Sequence, residues 1–483
     1  MQTYIQALSE EERHRVHEDS LKILAETGVR METPRGRKIM HEAGAQVDEN
    51  NNLVRFPRGL VEQALHLTPK NFILGARRPD WDLEMNSGEC SLVADGEALS
   101  VIDRHTGERR NVTFQDWLEA TRLIDALDEL GVFWSMVRRG KPDRSAGDMV
   151  RYLCDIFRNF SKHVQDSLGE TWAAPWLTEI LQVIFGDKDT VRKRHPFSYL
   201  LCPQSPLIID EYYTEAYLEL LGWDIPVAIM PMPLMGGTSP GSLISTVVQG
   251  NCEVLATLCL VQAAEPGAPV IYAPVLATMN PRTGQYSGGA IELGLMSVAA
   301  IQMARYYGLP VEASGGGTDQ FIPGIQAAYE RAMNALLPTL AWPDILVGPG
   351  LLGGSMILSL EQLVIDVEMF RMSVRAHEGI NGYEERWLTD VIREAGPGSS
   401  FIGERSTLEG IRGGEWYISD LGVHEPIGYW EQAGMPSLLD QAKERVDEIL
   451  ATHKPLPLDE HVEKELLRIE AKARESSGEK TLA

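Results

Sequence analysis

Between residues 113 and 350 two hydrophobic patterns alternate along the chain. Stretches with apolar residues at helical spacing give way to short, nearly continuous apolar runs. The first pattern predicts amphipathic helices, and the second predicts strands covered on both faces. A helix over 113–130 leads to a strand over 132–137, one over 144–160 to 163–168, and one over 172–185 to 197–202. Helix 210–221 leads to strand 227–232, the long helix 240–264 to 270–275, and helix 290–307, stopped by Gly308, to 311–313. A helix over 324–340 then precedes the run 345–347, and helix 359–376 opens with Ser359 and Gln362 in capping-box positions. That makes seven strands with helices between them. An eighth, from 92–102 or from the chain after Gly379, completes a (β/α)8 TIM barrel; a doubly wound open sheet is the alternative.

The flanks read differently. Residues 9–27 have helical periodicity, a capping box at Ser9 and Glu12, and a stop at Gly28. Helices over 35–43 and 58–67 follow, and 72–112 alternates apolar and polar positions like short hairpin strands. The expected division is therefore an N-terminal helical and hairpin layer over 1–112, which supplies one barrel strand if 92–102 is the eighth. A barrel core follows over 113–379, then a C-terminal extension over 380–483. In the extension Trp387, Trp416, Tyr417, His424 and Trp430 are scattered through a Gly/Pro-punctuated stretch. Charged helices over 438–450 and 459–474 then read as a solvated or oligomer-contact tail.

Composition narrows the function classes. The chain has 483 residues, 44% hydrophobic and 23% charged, which is ordinary for a globular protein with a large core. A formal charge of -25 argues against a nucleic-acid partner, which would need phosphate neutralisation. Five cysteines without a C-x-x-C pair, and no uninterrupted membrane-length apolar run, fit reduced thiols in a cytoplasmic protein away from the membrane.

In a barrel, chemistry belongs at the carboxyl ends of the strands. Those ends hold much Met, Gly, Ser and Gln and little charge. No histidine pairs with Cys or a carboxylate at metal-ligand spacing near a strand end, no Ser–His–Asp arrangement is recognisable, and no strand-end lysine offers a Schiff-base nucleophile. Phe133, Trp134, Tyr199, Tyr272, Trp342 and Phe370 are candidates for an aromatic cage around a quaternary ammonium, with Gln204 beside them. Asp166, Asp319 and Glu368 are the candidate carboxylates, and Arg138 a candidate partner for a substrate carboxylate. Gly315, Gly316 and Gly317, then Gly348 and Gly350, stand at the last two strand ends; they match neither nucleotide-loop pattern.

The stretch ELGLMSVAAIQMARYYGLPVEASGGGTD, then QAAYERAMNALLPTLA, GPGLLGG and SLEQLVIDVEMF, resembles the trimethylamine methyltransferase family. The opening ALSEEERHRVHEDSLKILAETGV is similar to that family's first helix. The resemblance implies a (β/α)8 enzyme that demethylates a methylated amine, passing the methyl group to Co(I) cobalamin on a separate corrinoid protein, with no cofactor held permanently. Archaeal trimethylamine enzymes of the family carry pyrrolysine, whereas this sequence uses standard residues only. Members without pyrrolysine are associated with quaternary amines, so glycine betaine or a related betaine is the expected substrate. The glycines at 315–317, 348 and 350 would then admit the corrin ring, with electrostatic roles for Asp319 and Glu368. A homo-oligomer is expected. The alternatives are a metal-free barrel lyase or isomerase using Asp166 or Asp319 as general base, and a non-enzymatic betaine-binding protein.

Overall fold

Seven of the apolar runs become parallel strands where the periodicity placed them. The computed structural model describes residues 2–139 and 145–476. Its centre is built from β1 (Ser91–Val93), β2 (Leu130–Phe133), β3 (His163–Asp166), β4 (Phe197–Leu201), β5 (Val227–Ile229), β6 (Val270–Tyr272), β7 (Glu312–Ser314) and β8 (Ile345–Val347). They pair in the order β6-β5-β4-β3-β2-β1-β8-β7. A parallel bridge between Tyr272 and Val311 joins the outer two, so the sheet closes into a barrel. The seam is narrow: Pro310 accepts from the Tyr272 N–H at 2.9 Å but has no N–H to return.

Each strand is followed by a helix: α1 (Phe114–Ala126), α2 (Ala146–Asn159), α3 (Ala173–Phe185), α4 (Tyr212–Leu218), α5 (Leu243–Ala264), α6 (Ile291–Tyr307), α7 (Ile325–Ala341) and α8 (Leu360–Glu378). Arg144, expected to open α2, lies outside the described residues. The apolar α5 is long enough to cross a membrane, yet 78% of its apolar window is buried inside the protein.

The eighth strand comes from the 92–102 run, and only from its beginning. Asp95-Gly96-Glu97 breaks that run, and Ser100–Ile102 joins a separate sheet with Arg109–Asn111, Ile357–Leu358 and Leu351–Leu352. The chain beyond Gly379 has no strand among the described residues.

Alternation along each strand sorts side chains between two cores. Val132, Leu200, Ala228, Ile271, Ile345 and Val347 cluster in the lumen, with Trp134 and Cys202 against them. Phe72, Leu74 and Met85, around the hairpin Ile73–Leu74/Leu83–Glu84, join that cluster and plug the amino-terminal end. Phe133, Tyr199, Tyr272 and Leu346 take the opposite parity and belong to the larger core under the helices. The N-terminal layer opens with Glu10–Glu26, whose Ser9/Glu12 capping box is complete. Its Val29–Met31 pairs with Ile208–Ile209 from the loop after β4, which anchors the layer to the barrel.

The C-terminal helices Leu438–Thr452 and Glu460–Ser476 bury Val446, Ile449, Leu466 and Ile469. They are held partly by Arg158 of α2, which pairs with Glu463 and Glu470 at 2.8 and 2.5 Å. The tail is thus a packed layer of this chain rather than a solvated arm.

Candidate active site

The lumen contains one carboxylate pressed among apolar side chains. Glu312 is the inward residue of β7, and it accepts from the Gln165 amide of β3, on the opposite wall, at 2.9 Å. Both residues are buried, and each keeps one oxygen without a hydrogen-bond partner. Burial pushes the Glu312 carboxyl up to about 7, the bond from Gln165 opposing the rise.

Further acids stand at the strand ends. Asp166 ends β3 and accepts from the Tyr152 hydroxyl of α2 at 2.7 Å and from the Ser167 N–H at 2.8 Å. Burial pushes it up to about 7, and Glu97 adds to the rise. Asp95, after β1, is pushed up to about 6 by burial against the bonds from Ser355 and the Gly96 N–H. Glu97 is half-exposed, with Arg138 at 3.8 Å, and burial raises it as well. The Tyr213 phenol lies within electrostatic reach of Glu97, Asp166 and Cys202, so the ends of β1, β3 and β4 open onto one space. Trp134 faces that space beside Gly96, and Tyr286 lies near both Asp95 and Asp319. Four carboxyl groups at or below the mouth, with Arg138 3.8 Å from Glu97 and Arg331 within electrostatic reach of Asp95, form an acid-rich site whose field favours a cation.

The residues singled out from sequence divide sharply. Asp166, Trp134 and Arg138 stand at the mouth. Gln204 is exposed in the loop after β4, where its backbone bridges Ile208. Asp319 is at the β7 end, braced by the Ser287 hydroxyl at 2.5 Å and the Gly289 N–H at 3.1 Å.

The others require correction. Phe133 packs on Trp117 and Phe160 behind β2. Tyr199 donates to the carbonyls of Leu168 and Tyr213, and Tyr272 to Asn251, all behind the sheet. Phe370, on α8, lines a small space behind the sheet with Leu92, Leu346, Gly315 and Gly316. Trp342 follows α7 at the amino-terminal end of the barrel and stacks on His377 at 3.7 Å. Glu368 accepts from Tyr417 at 2.5 Å and from Ser419, in the contact with the C-terminal extension. One residue of parity decides the three strand cases: Phe133, for example, faces the helices while Trp134 faces the lumen.

The glycines also serve the chain itself. A Cβ on Gly348, whose φ is +139°, would lie 1.6 Å from the Gly315 carbonyl oxygen, and one on Gly317 would lie 2.4 Å from that of Gly288. Gly315 packs under Leu346 and Pro338, and Gly350 under the Met136 methyl. Only Gly316 leaves its side-chain direction free to 3.9 Å. Gly315, Gly317 and Gly348 thus let neighbouring backbones pass close to one another. The second loop is anchored by Asp366, which accepts from the Gly350 N–H at 2.8 Å and pairs with buried Arg331 at 2.5 Å.

Sequence reasoning missed Asp95, Glu97, Tyr152 and Glu312. The first two were hidden by reading 92–102 as one strand. Glu312 carried a usable signal, an acid in the centre of the apolar run 311–313.

The family model for trimethylamine methyltransferase (MTTB) matches residues 2–478. A trimethylamine methyltransferase of Methanosarcina barkeri is 32% identical over 467 residues, 95% of this chain and 93% of that one. Its counterpart in Desulfitobacterium hafniense is 31% identical over 455 residues, covering 94% and 91%. A glycine betaine methyltransferase of Desulfitobacterium hafniense is 28% identical over 473 residues, 98% of each chain. Among solved structures, the Methanosarcina barkeri monomethylamine methyltransferase aligns with a TM-score of 0.47 at 11% identity, covering 98% of this chain and 93% of its own.

Proposed function

The chain belongs to the trimethylamine methyltransferase family, and on that premise we propose that it demethylates a quaternary amine, glycine betaine or a related betaine. The acceptor is Co(I) cobalamin carried by a separate corrinoid protein, so the chain holds no cofactor permanently. The observation that carries the reading is the convergence of Asp95, Glu97, Asp166 and Glu312 on one partly apolar mouth. A quaternary ammonium supplies the positive charge that such a site lacks.

The step needs neither a proton nor a Lewis acid from the protein. The N–CH3 bond breaks with its electron pair left on nitrogen, giving a neutral tertiary amine. The methyl group bonds to cobalt, which goes from Co(I) to Co(III). The chain's own contribution is position and dryness. Asp166 and Glu312 hold the ammonium below, Trp134 covers it, and Arg138 is placed for a betaine carboxylate. Five unpaired cysteines and the need to keep cobalt reduced support a cytoplasmic location.

The test is a visible-absorbance assay of protein-bound Co(I) cobalamin with glycine betaine, proline betaine, carnitine and trimethylamine added separately. Loss of the Co(I) band with one quaternary amine is expected. No loss with any of them, in the presence of a competent acceptor, refutes the proposal. It would favour a lyase or isomerase, a second reading supported by two carboxyl groups that titrate near neutrality.

A further inference from the structure

A carboxylic acid and a primary amide pair face to face through two bonds, amide N–H to acid oxygen and acid O–H to amide oxygen. Between Gln165 and Glu312 the first of these is in place at 2.9 Å. The two oxygens that the second would join, Oε1 of Gln165 and Oε1 of Glu312, have no hydrogen-bond partner, and their side chains are 0% and 1% exposed. Both are acceptors when Glu312 is ionised, so neither can satisfy the other. One proton on Glu312 gives each of them its partner.

The surroundings favour that proton while no substrate is bound. The walls contributed by β1, β2, β5, β6 and β8 are apolar. Among the described residues, the titratable side chains that face Glu312 come from β3 and β4, and neither is a cation. The His163 imidazole, lower on β3, is bonded to the Gly75 carbonyl and to Ser198, and burial pushes it down to about 3. The Cys202 thiol of β4 is pushed up to about 12, mainly by burial, with Asp210 and Glu312 adding to the rise. A bare carboxylate between such walls is costly, and a proton or a cationic ligand removes that cost.

We propose that the Glu312–Gln165 pair exchanges its proton for the substrate cation: Glu312 is a neutral acid bonded to Gln165 before binding and a carboxylate facing the ammonium afterwards. This rests on the demethylation of a quaternary amine proposed above and gives that site a means of selection and release. The proton goes to water as the ammonium enters. When the N–CH3 bond breaks, its electron pair stays on nitrogen, the methyl group is on cobalt, and the carboxylate faces a neutral tertiary amine. A proton then returns from water to Glu312, restores the bond to Gln165 and abolishes the ion pair that held the ligand. One proton leaves and one returns, so the exchange balances over a cycle. A neutral molecule of the same shape does not release the proton, because it brings no charge to replace it.

Infrared spectroscopy of the ligand-free full chain tests the resting state. A carboxylic acid C=O band is expected that fades as pH rises through about 7. Glu312→Gln should remove part of that band, and Gln165→Leu should shift the same part by taking away its acceptor. Titration calorimetry at about pH 6, in buffers of different ionisation enthalpy, tests the exchange. Glycine betaine is expected to release about one proton more from the wild type than from Glu312→Gln. Its isostere tert-butylacetate, with carbon in place of nitrogen, should release no such excess. Should the glutamine variant not fold, the band shift in Gln165→Leu carries the test. An acid band unaltered by either substitution, or equal proton release from the two proteins, overturns the inference. An acid band that responds to both substitutions, with no heat of binding from glycine betaine, proline betaine or carnitine, upholds the acid–amide pair and refutes the quaternary-amine reading instead.

Discussion

Between Glu312 and Met333 the chain passes from the barrel lumen to its outer flank, and both places invert the usual placement of residues. In the lumen a carboxyl group is enclosed by apolar walls with one amide for a partner. On the flank, Ile325, Tyr329 and Met333 of α7 stand in water, while the helix's two charged side chains turn inward, Glu330 to Thr318 and Arg331 to Asp366. Each inversion costs stability in the isolated chain. A cationic ligand removes the cost in the lumen, which is the physical reason for such a site to exist. Sites that break the local rules are where function is expected. The comparison separates the two places: the lumen should govern chemistry, and the flank should leave it unchanged.

The sharpest break comes from Glu312→Gln. The amide keeps the size and the contact to Gln165 but removes the charge. Methyl transfer is expected to fall by about 100-fold, equivalent to ~2.7 kcal/mol of lost transition-state stabilisation. Stability should move the other way. Because burial raises the Glu312 pKa, the folded chain holds a proton that the unfolded chain releases between about pH 4.3 and about 7. The stability this group contributes is present below the lower value and lost as pH rises through the upper one. Thermal melts at pH 8 should therefore favour the glutamine variant over the wild type, and melts at pH 5 should not. Unchanged transfer would make Glu312 a core carboxyl and remove the contrast.

Next in size is the pH dependence of substrate binding. Asp95 and Asp166 are raised to about 6 and about 7, and a bound ammonium favours their ionised forms. KM for the quaternary amine should fall as pH rises through this window, by about tenfold per unit for each titrating group on its acid side. Calorimetry should find protons released on binding. Asp166→Asn should flatten the profile near 7; a profile that keeps its shape would take Asp166 out of the site.

The flank should leave transfer nearly untouched. The Ile325→Asp/Tyr329→Asp variant should retain transfer within about threefold, a difference of ~0.7 kcal/mol. A larger loss in a folded variant would tie α7 to the chemistry of the mouth.

How much of this was legible in sequence depends on the periodicity involved. Seven strands stood out because parallel strands buried on both faces are unbroken apolar runs. That same property hid the site. When both faces are apolar, the run does not reveal which parity faces the lumen, so Phe133, Tyr199 and Tyr272 were proposed where Trp134, Leu200 and Ala273 point. The break in 92–102 was written in Asp95-Gly96-Glu97, and it removed two acids from view. The glycines were legible as close approaches, but the approaching group is the chain itself. The scarcity of charge on α7, two charged residues in 17, can be counted in the sequence, but that both turn inward and leave Ile325, Tyr329 and Met333 exposed could not be read there.

The smallest expected effect falls at Glu368, and it tests the boundary of the active region. Sequence placed this acid with Asp166 and Asp319, whereas the structure puts it on α8 against Tyr417 and Ser419 of the extension. Arg371 lies 3.8 Å away. Glu368→Gln keeps an oxygen acceptor for the two hydroxyls and loses the charge. The cost should be about 1 kcal/mol of stability, the usual worth of a charge-assisted bond weakened to a neutral one. It should appear as a lower melting temperature with transfer unchanged within about twofold, less than ~0.5 kcal/mol. A tenfold loss of transfer at unchanged stability would mean that the extension communicates with the mouth through α8. The division between a chemical lumen and a chemically silent exterior would then fail at this helix.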